Sequence, residues 1–332
     1  METGMDTGDE SAADADAQEL VAAVDLGGTF TKLGLITPDG SVRAETRIPT
    51  RLTARTDGDG GAGTVDWLGE EISAFAAAEA EAIGVRTVGF GVVVPGIVDA
   101  EAGVVVSAAN IGWSNIELAG PLAARLGLPG GIGHDVRTGG LAEWRLGAGR
   151  RLNNLLFVPL GTGIAAAVVV DGRLLEADGY AGELGHIRVP SAGDQRCACG
   201  QTGCLEIVAG AAGVVRNYKR LAGPTSEVIT AEQIADKARN ANPEALGAFE
   251  IAGTALSEAF VIALTLLGPE AIVIGGGLSG ASDLLLPIIE SEFDRRLTFQ
   301  RRPRLITSSF GSHAGLVGAG LLGWRSVAAE RQ

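Results

Sequence analysis

Three cysteines fall within eight residues, Cys197-x-Cys199-x4-Cys204, and His186 precedes the first by eleven. Thiolate sulfur and imidazole nitrogen together suit tetrahedral zinc, and Gly200 and Gly203 allow the chain to bend around an ion. A closed Cys3His set of His186, Cys197, Cys199 and Cys204 leaves no position for water. The expected zinc is therefore structural, holding the 186–206 loop; buried free cysteines are the bland alternative in a loop this polar. Glu183 and Glu206 flank the ligands, so a rigid loop would fix two carboxylates as acceptors for the hydroxyls of a polyol. Asp135 follows the apolar and glycine segment Gly130–Gly133 and precedes a helix expected from about Thr138. It can take a proton from a bound hydroxyl, or serve as a helix cap or turn residue. Asn110, in Ala109-Asn110-Ile111-Gly112-Trp113, can both donate and accept, or simply turn the chain with Trp113 in the core. His313, among glycines, reads as a loop histidine.

The glycine motifs point to phosphate. Gly27-Gly28-Thr29 follows an apolar strand, where amide groups and the threonine hydroxyl could cradle oxygen, although Gly-Gly also makes an ordinary hairpin. Gly275-Gly276-Gly277-Leu278-Ser279-Gly280 fits G-x-G-x-x-G between a strand and a helix, as a nucleotide loop requires. The acidic residue expected about twenty positions later is missing, since the chain there reads Phe299-Gln300-Arg301-Arg302, which argues against a dehydrogenase. Gly161-Thr162-Gly163 enters a strand, and no G-x-x-x-x-G-K-[ST] loop occurs.

These residues need elements to position them. Strands are expected at Leu20–Val24, Lys32–Ile36, Ser41–Ile48, Thr87–Val94, Leu155–Leu160, Ile164–Val170 and Ala271–Ile274. A polar Gly/Asp stretch at 56–63 precedes a helix at about 65–83. Further helices are expected near 138–147, 205–221, 243–267, 282–295 and 314–328, and one from Ala231 carries a capping box of Thr230 and Gln233. One pattern recurs. A strand, a Gly/Thr hairpin, a strand, an Asp-Gly turn and a third strand appear around Gly27–Thr29 with Asp39-Gly40, and again around Gly161–Gly163 with Asp171-Gly172. The repeat predicts a duplicated α/β fold, two similar domains around a cleft.

The 332 residues, 46% hydrophobic and 20% charged, suffice for about two domains with cores of their own. The 50 glycines are about 15% of the chain, twice the usual share, without collagen's period. A formal charge of −14 argues against a nucleic-acid partner. Seven acidic residues lie within 1–19, which are expected to be a disordered tail and no signal peptide. The apolar stretches 155–170 and 259–278 are broken by proline and glycine, so core elements are expected there in place of a membrane span. The reading is a cytoplasmic protein without nucleic-acid or membrane partners.

Taken together, Asp25-Leu26-Gly27-Gly28-Thr29, Pro95-Gly96-Ile97-Val98-Asp99, Asn110-x-Gly112-Trp113, Gly161-Thr162-Gly163, Glu183-x-Gly185-His186, the cysteine cluster with Glu206, and Ile274-Gly275-Gly276-Gly277 resemble the ROK family of bacterial sugar kinases and repressors. The similarity is closest to its ATP-dependent glucokinase-type members and covers about residues 20–325. It implies two ribonuclease-H-like domains of the actin and hexokinase type, with boundaries at 20–134 and 135–313, a zinc loop at 186–206, and a C-terminal helix at 314–330 packing back on the first domain. It implies phosphorylation of a hexose 6-hydroxyl, glucose first, with Asp135 as general base. N-acetylglucosamine or N-acetylmannosamine is the alternative substrate, and a catalytically weak sugar-binding protein or a repressor the alternative role. Asn110, His134, Asp135, Glu183, His186 and Glu206 would surround the sugar. Asp25, Gly27, Gly28, Thr29, Gly161, Thr162, Gly275 and Gly276 would hold ATP, with Mg²⁺ near Asp25, and the family's usual assembly is a dimer or tetramer. The chain departs from the family at His134-Asp135-Val136-Arg137, where Asn-Asp-Ala-Asn is usual, and at Phe30, where Lys is common, with Lys32 two residues on.

Overall fold

A computed structural model describes residues 18–52, 61–223 and 228–332; the expected tail up to residue 17 and most of the polar 56–63 stretch lie outside them. The chain forms two compact units, one of residues up to Gly133 with Ala319–Gln332, the other His134–Gly318.

The first unit contains β1 (Gln18–Leu26), β2 (Phe30–Ile36), β3 (Val42–Pro49), α1 (Ala62–Ile83), β4 (Val85–Val94), β5 (Ile97–Asp99), β6 (Val104–Ala108), β7 (Trp113–Glu117), α2 (Ala119–Leu126) and β8 (Gly130–His134). Its main sheet has the order β3-β2-β1-β4-β8, and β5, β6 and β7 make a small sheet of their own. The β2–β3 turn closes as Pro38-Asp39-Gly40 predicts, with Gly40 at φ +83°. Leu20, Ala22, Val24, Leu33 and Leu35 pack on Leu68 and Ile72 of α1 and Leu122 of α2. The strand begins earlier than expected: Gln18 and Glu19 pair with Val85 and Arg86. Glu19 is drawn out of the predicted tail by ion pairs to Arg86 and Arg331.

The second unit contains α3 (Asp135–Arg145), β9 (Leu155–Pro159), β10 (Ala167–Val170), β11 (Arg173–Leu174), α4 (Glu206–Ala209), α5 (Ala211–Ala222), α6 (Ala231–Arg239), α7 (Pro243–Leu267), β12 (Ala271–Gly275), α8 (Ser282–Arg296), β13 (Arg304–Thr307) and the start of α9 (Ala314–Glu330). Its sheet has the order β11-β10-β9-β12-β13. Counted within each sheet, the strands of both five-stranded sheets run third, second, first, fourth, fifth, and in both the first three strands are antiparallel neighbours while the first and fourth are parallel. One face of the second sheet packs Leu156, Val158, Ile272 and Ile274 against Phe249, Leu256 and Phe260 of α7 and Phe293 of α8. Each such buried side chain contributes about 1.5–3 kcal/mol of transfer free energy. Helix α7 has the length and mean hydropathy, 1.6, of a membrane span, yet half of its most apolar stretch is buried in this core.

In α9 the residues from Ala319 onward belong to the first unit. A Cβ on Gly320 would stand 2.6 Å from the Ile36 side chain, and one on Gly91 1.9 Å from the Ala319 carbonyl, so the helix lies directly on strand backbone. Trp324 Nε1 donates to the Ile36 carbonyl at 3.0 Å.

Two predicted elements differ. The single helix at 205–221 is two, broken at Gly210, where φ −71° and ψ 168° are extended. The break lets Ala211 N donate to the Gly161 carbonyl at 2.9 Å, so the chain leaves the helix to meet the hairpin. The helix expected from about Thr138 starts at Asp135, for a reason that lies in the site itself.

Candidate active site

The candidate residues sit on short loops at the ends of buried strands, and each unit carries a set of its own. In the first unit the Gly27–Thr29 hairpin is tied down by Thr50. Its Oγ1 donates to the Gly27 carbonyl at 2.8 Å, and its amide donates to the Thr29 carbonyl at 3.0 Å. Gly28 lies against the Asn110 segment, where an added Cβ would be 3.3 Å from the Asn110 carbonyl. Asn110 is exposed beside the buried Trp113. Asp25 is the penultimate residue of β1, with Lys32 opposite it in register, Nζ to Oδ2 at 3.6 Å. Phe30 lies under the Arg47 guanidinium, 3.8 Å from the ring centre, a cation–π contact.

In the second unit Asp135 is the first residue of α3. Its carboxylate accepts from Val136 N at 2.7 Å, and a negative charge here suits the positive end of the helix. The cap is His134, whose Nδ1 accepts from Arg137 N at 3.3 Å. Histidine is not a residue that announces a helix start, which is why the sequence places the helix three residues late. His134 is 8% exposed, and burial, with Arg137 adding to it, pushes its pKa down to about 3, so the ring is neutral. The Arg137 guanidinium is buried and donates to the Gly179 carbonyl at 2.8 Å. Burial lowers its pKa, opposed by the fields of Glu176, Glu183 and Asp135. At its far end α3 is anchored by Glu143, a fully buried carboxylate that accepts from Ala148 N, Ser309 N, Phe310 N and the Ser308 hydroxyl.

Glu206 opens α4 and accepts from Ile164 N at 2.9 Å; a Cβ on Gly163 would come within 2.8 Å of the same carboxylate. A side chain at 163 would therefore push aside the Glu206 carboxylate that the Ile164 amide holds. Gly276, at φ +75°, has no room for a side chain either, since a Cβ would stand 2.5 Å from the Leu160 carbonyl. Leu160 N donates to the Gly275 carbonyl and Leu278 N to the Leu160 carbonyl, both at 2.9 Å, which brings the 161–163 and 275–280 loops side by side. Arg239 braces the second loop through the Gly280 carbonyl and both oxygens of Asp283.

The ligand atoms of His186, Cys197, Cys199 and Cys204 all lie within 4.8 Å of one another. Cys199 and Cys204 sulfurs are 3.7 Å apart and His186 Nδ1 is 3.8 Å from Cys197 Sγ. Sulfurs bonded tetrahedrally to one zinc at about 2.3 Å stand about 3.8 Å apart, so the donor set fits the ion. Burial pushes the Cys204 thiol up to about 12, a cost that a bound cation would remove. His186 Nε2 lies 4.0 Å from Glu183 Oε2, the kind of carboxylate that orients a ligating imidazole. The loop is held from outside as well, because Ser191 N and Oγ both donate to Glu258 of α7 at 3.0 Å.

Thr50, Glu143, Arg239 and Glu258 were not singled out in the sequence. Apart from Ala148, five residues after Glu143, the partners named above lie 21 to 167 positions away, and no local spacing marks them. His313 sits in a short 3₁₀ turn that leads into α9.

The ROK family profile matches residues 21–325. The chain is 33% identical over 319 residues to a glucokinase of Halalkalibacterium halodurans, covering 90% of this chain and 93% of that one. It is 32% identical over 236 residues to the DNA-binding transcriptional dual regulator NagC of Escherichia coli, covering 69% of this chain and 58% of the regulator. Among solved structures, a ROK family glucokinase from Streptomyces griseus in complex with glucose and AMPPNP superposes with a TM-score of 0.79 at 29% identity, covering 92% and 99% of the two chains.

Proposed function

The chain belongs to the ROK family, and from that membership we infer that it is an ATP-dependent sugar kinase acting on glucose. The reading carries with it the actin and hexokinase type of α/β fold, and the repeated strand order of the two sheets supports the ribonuclease-H-like form of each unit. The observation that carries the chemistry is Asp135 at the head of α3, in a unit that also holds Glu183 and Glu206 on short, braced segments.

In this reading Asp135 accepts the proton of the sugar 6-hydroxyl as that oxygen forms a bond to the γ-phosphorus of ATP. The bond from that phosphorus to the β–γ bridging oxygen breaks, and ADP leaves with the electron pair. Such a transition state asks the protein mainly for positioning and charge stabilisation. Glu183, Glu206, Asn110 and His186 orient the sugar. The amides of Gly28 and Thr162, with the Thr29 hydroxyl, receive the phosphates; Gly27 and Gly161, whose amides close their own hairpins onto the Phe30 and Gly163 carbonyls at 3.1 and 3.2 Å, line them, and Gly275 and Gly276 border the adenosine. Asp25, which Lys32 faces at 3.6 Å, is the residue near which the Mg²⁺ arriving with ATP would lie. His186, Cys197, Cys199 and Cys204 would hold a zinc that supplies no chemistry to the transfer and would fix the 186–206 loop, which Glu183 precedes and Glu206 ends.

The test is ADP release from Mg-ATP with glucose, mannose, N-acetylglucosamine and N-acetylmannosamine, with Asp135→Asn alongside. Turnover on glucose that the variant loses is the expected result. Turnover confined to an N-acetylhexosamine would move the substrate, and silence on all four would remove the kinase reading. A second reading, a sugar-binding protein of weak activity, is favoured by one observation: His134 stands where the family usually has a sugar-contacting Asn, and it is buried. Thermal stabilisation by a sugar without ADP release would support it.

A further inference from the structure

His134 departs from the usual family residue, and its surroundings explain what it does instead. Its Nδ1 accepts the Arg137 amide at 3.3 Å, so that nitrogen carries no proton. The ring is neutral, so its single proton is on Nε2. Nε2 lies 3.3 Å from Asp135 Oδ1, the same oxygen that accepts the Val136 amide at 2.7 Å. One imidazole therefore spans the first turn of α3, capping the helix with one nitrogen and facing the carboxylate with the other.

Resting on the kinase reading, we propose that His134 is a positioning residue for the base: with its Nε2 proton facing Asp135 Oδ1 at 3.3 Å, it holds the carboxylate in one orientation and favours its ionised form. The other charges acting here are the Arg137 guanidinium on the same turn, with Glu176 and Glu183 acting on Arg137 in turn. All three remain in the variants below, so any change belongs to His134.

Two substitutions separate the two nitrogens. His134→Asn keeps a capping oxygen but is too short to serve both groups, whereas His134→Leu loses both functions. In the pH profile of kcat/KM for glucose, the acidic limb should move up by about half to one pH unit in both variants, since an unassisted carboxylate binds its proton more tightly. The melting temperature should fall clearly only in His134→Leu. A limb that stays in place in both variants would overturn the proposal. Activity is not the only readout. The chain has three histidines, so ring ¹⁵N spectra can be assigned. His134 should remain neutral with its proton on Nε2 down to pH 5. A ring protonated on Nδ1, or titrating near the ordinary 6.5, would also overturn the proposal. If no sugar is turned over, the kinase reading fails while the spectra still decide the tautomer on which the proposal stands.

Discussion

Asp135 sits on a turn where the Val136 and Arg137 amides, the His134 ring and the Arg137 guanidinium all have partners, and substitutions there should separate chemistry from folding. Asp135→Asn keeps size and polarity, so sugar affinity by calorimetry should stay within a few-fold of wild type while kcat falls by about 10²–10⁴. Near-normal kcat would remove Asp135 from its role. His134 makes a different prediction. Its folded pKa of about 3 lies below the ordinary 6.5, so between those values the unfolded chain binds the proton that the folded chain refuses. Stability contributed by this group is therefore complete above pH 6.5 and is lost on acidification through that window, by up to about 1.4 kcal/mol per pH unit. Denaturant midpoints measured from pH 7 to 4 should fall less steeply for His134→Asn than for wild type. Asp135 itself was legible in the sequence. Its neighbours' roles were not, because histidine is a rare cap and the Gly179 carbonyl that receives Arg137 is 42 positions away.

At the scale of elements, α3 is fixed at both ends, by the His134 cap and by Glu143. Replacing Glu143 with Ala would leave three part-buried amides and a hydroxyl without their acceptor. The expected cost is about 3 kcal/mol or more, seen as a drop of several degrees in melting temperature. The glycine loops make a sharper case. Gly276→Ala puts a Cβ into the Leu160 carbonyl at a positive φ, so it should destabilise the fold by about 2 kcal/mol or more. Gly277→Ala, with nothing within 4 Å of its added Cβ, should leave stability almost unchanged. The hairpins and the Thr230 capping box could be read from the sequence because their signals lie within a few residues. The small β5–β6–β7 sheet and α2 could not, being short, nor could β8 and β13, short strands whose neighbours β4 and β12 lie about thirty or more residues earlier. The break at Gly210 was likewise hidden, since it follows from contact with a hairpin about fifty residues earlier.

At the scale of the molecule, the strand order common to both sheets is the feature the sequence announced most clearly, through the paired Gly/Thr hairpins and Asp-Gly turns. Charge acts at this scale too. With −14 over the chain, duplex DNA should show no binding by fluorescence anisotropy even at low salt; a salt-sensitive complex would bring the regulator branch of the family forward.

The clamp between Ser191 and Glu258 bears on how the protein acquires its ion. The loop is also pinned by the Arg188–Cys204 and Arg196–Thr202 bridges, so it is tethered by bonds that need no metal. Zinc would then enter a socket already nearly shaped, unlike small zinc domains in which binding and folding are one event. Chelation should lower the melting temperature without abolishing the cooperative transition, and returning about one equivalent of zinc per chain should restore it within the time of mixing. A chain that unfolds on chelation and recovers only through refolding would show that the ion shapes its own site.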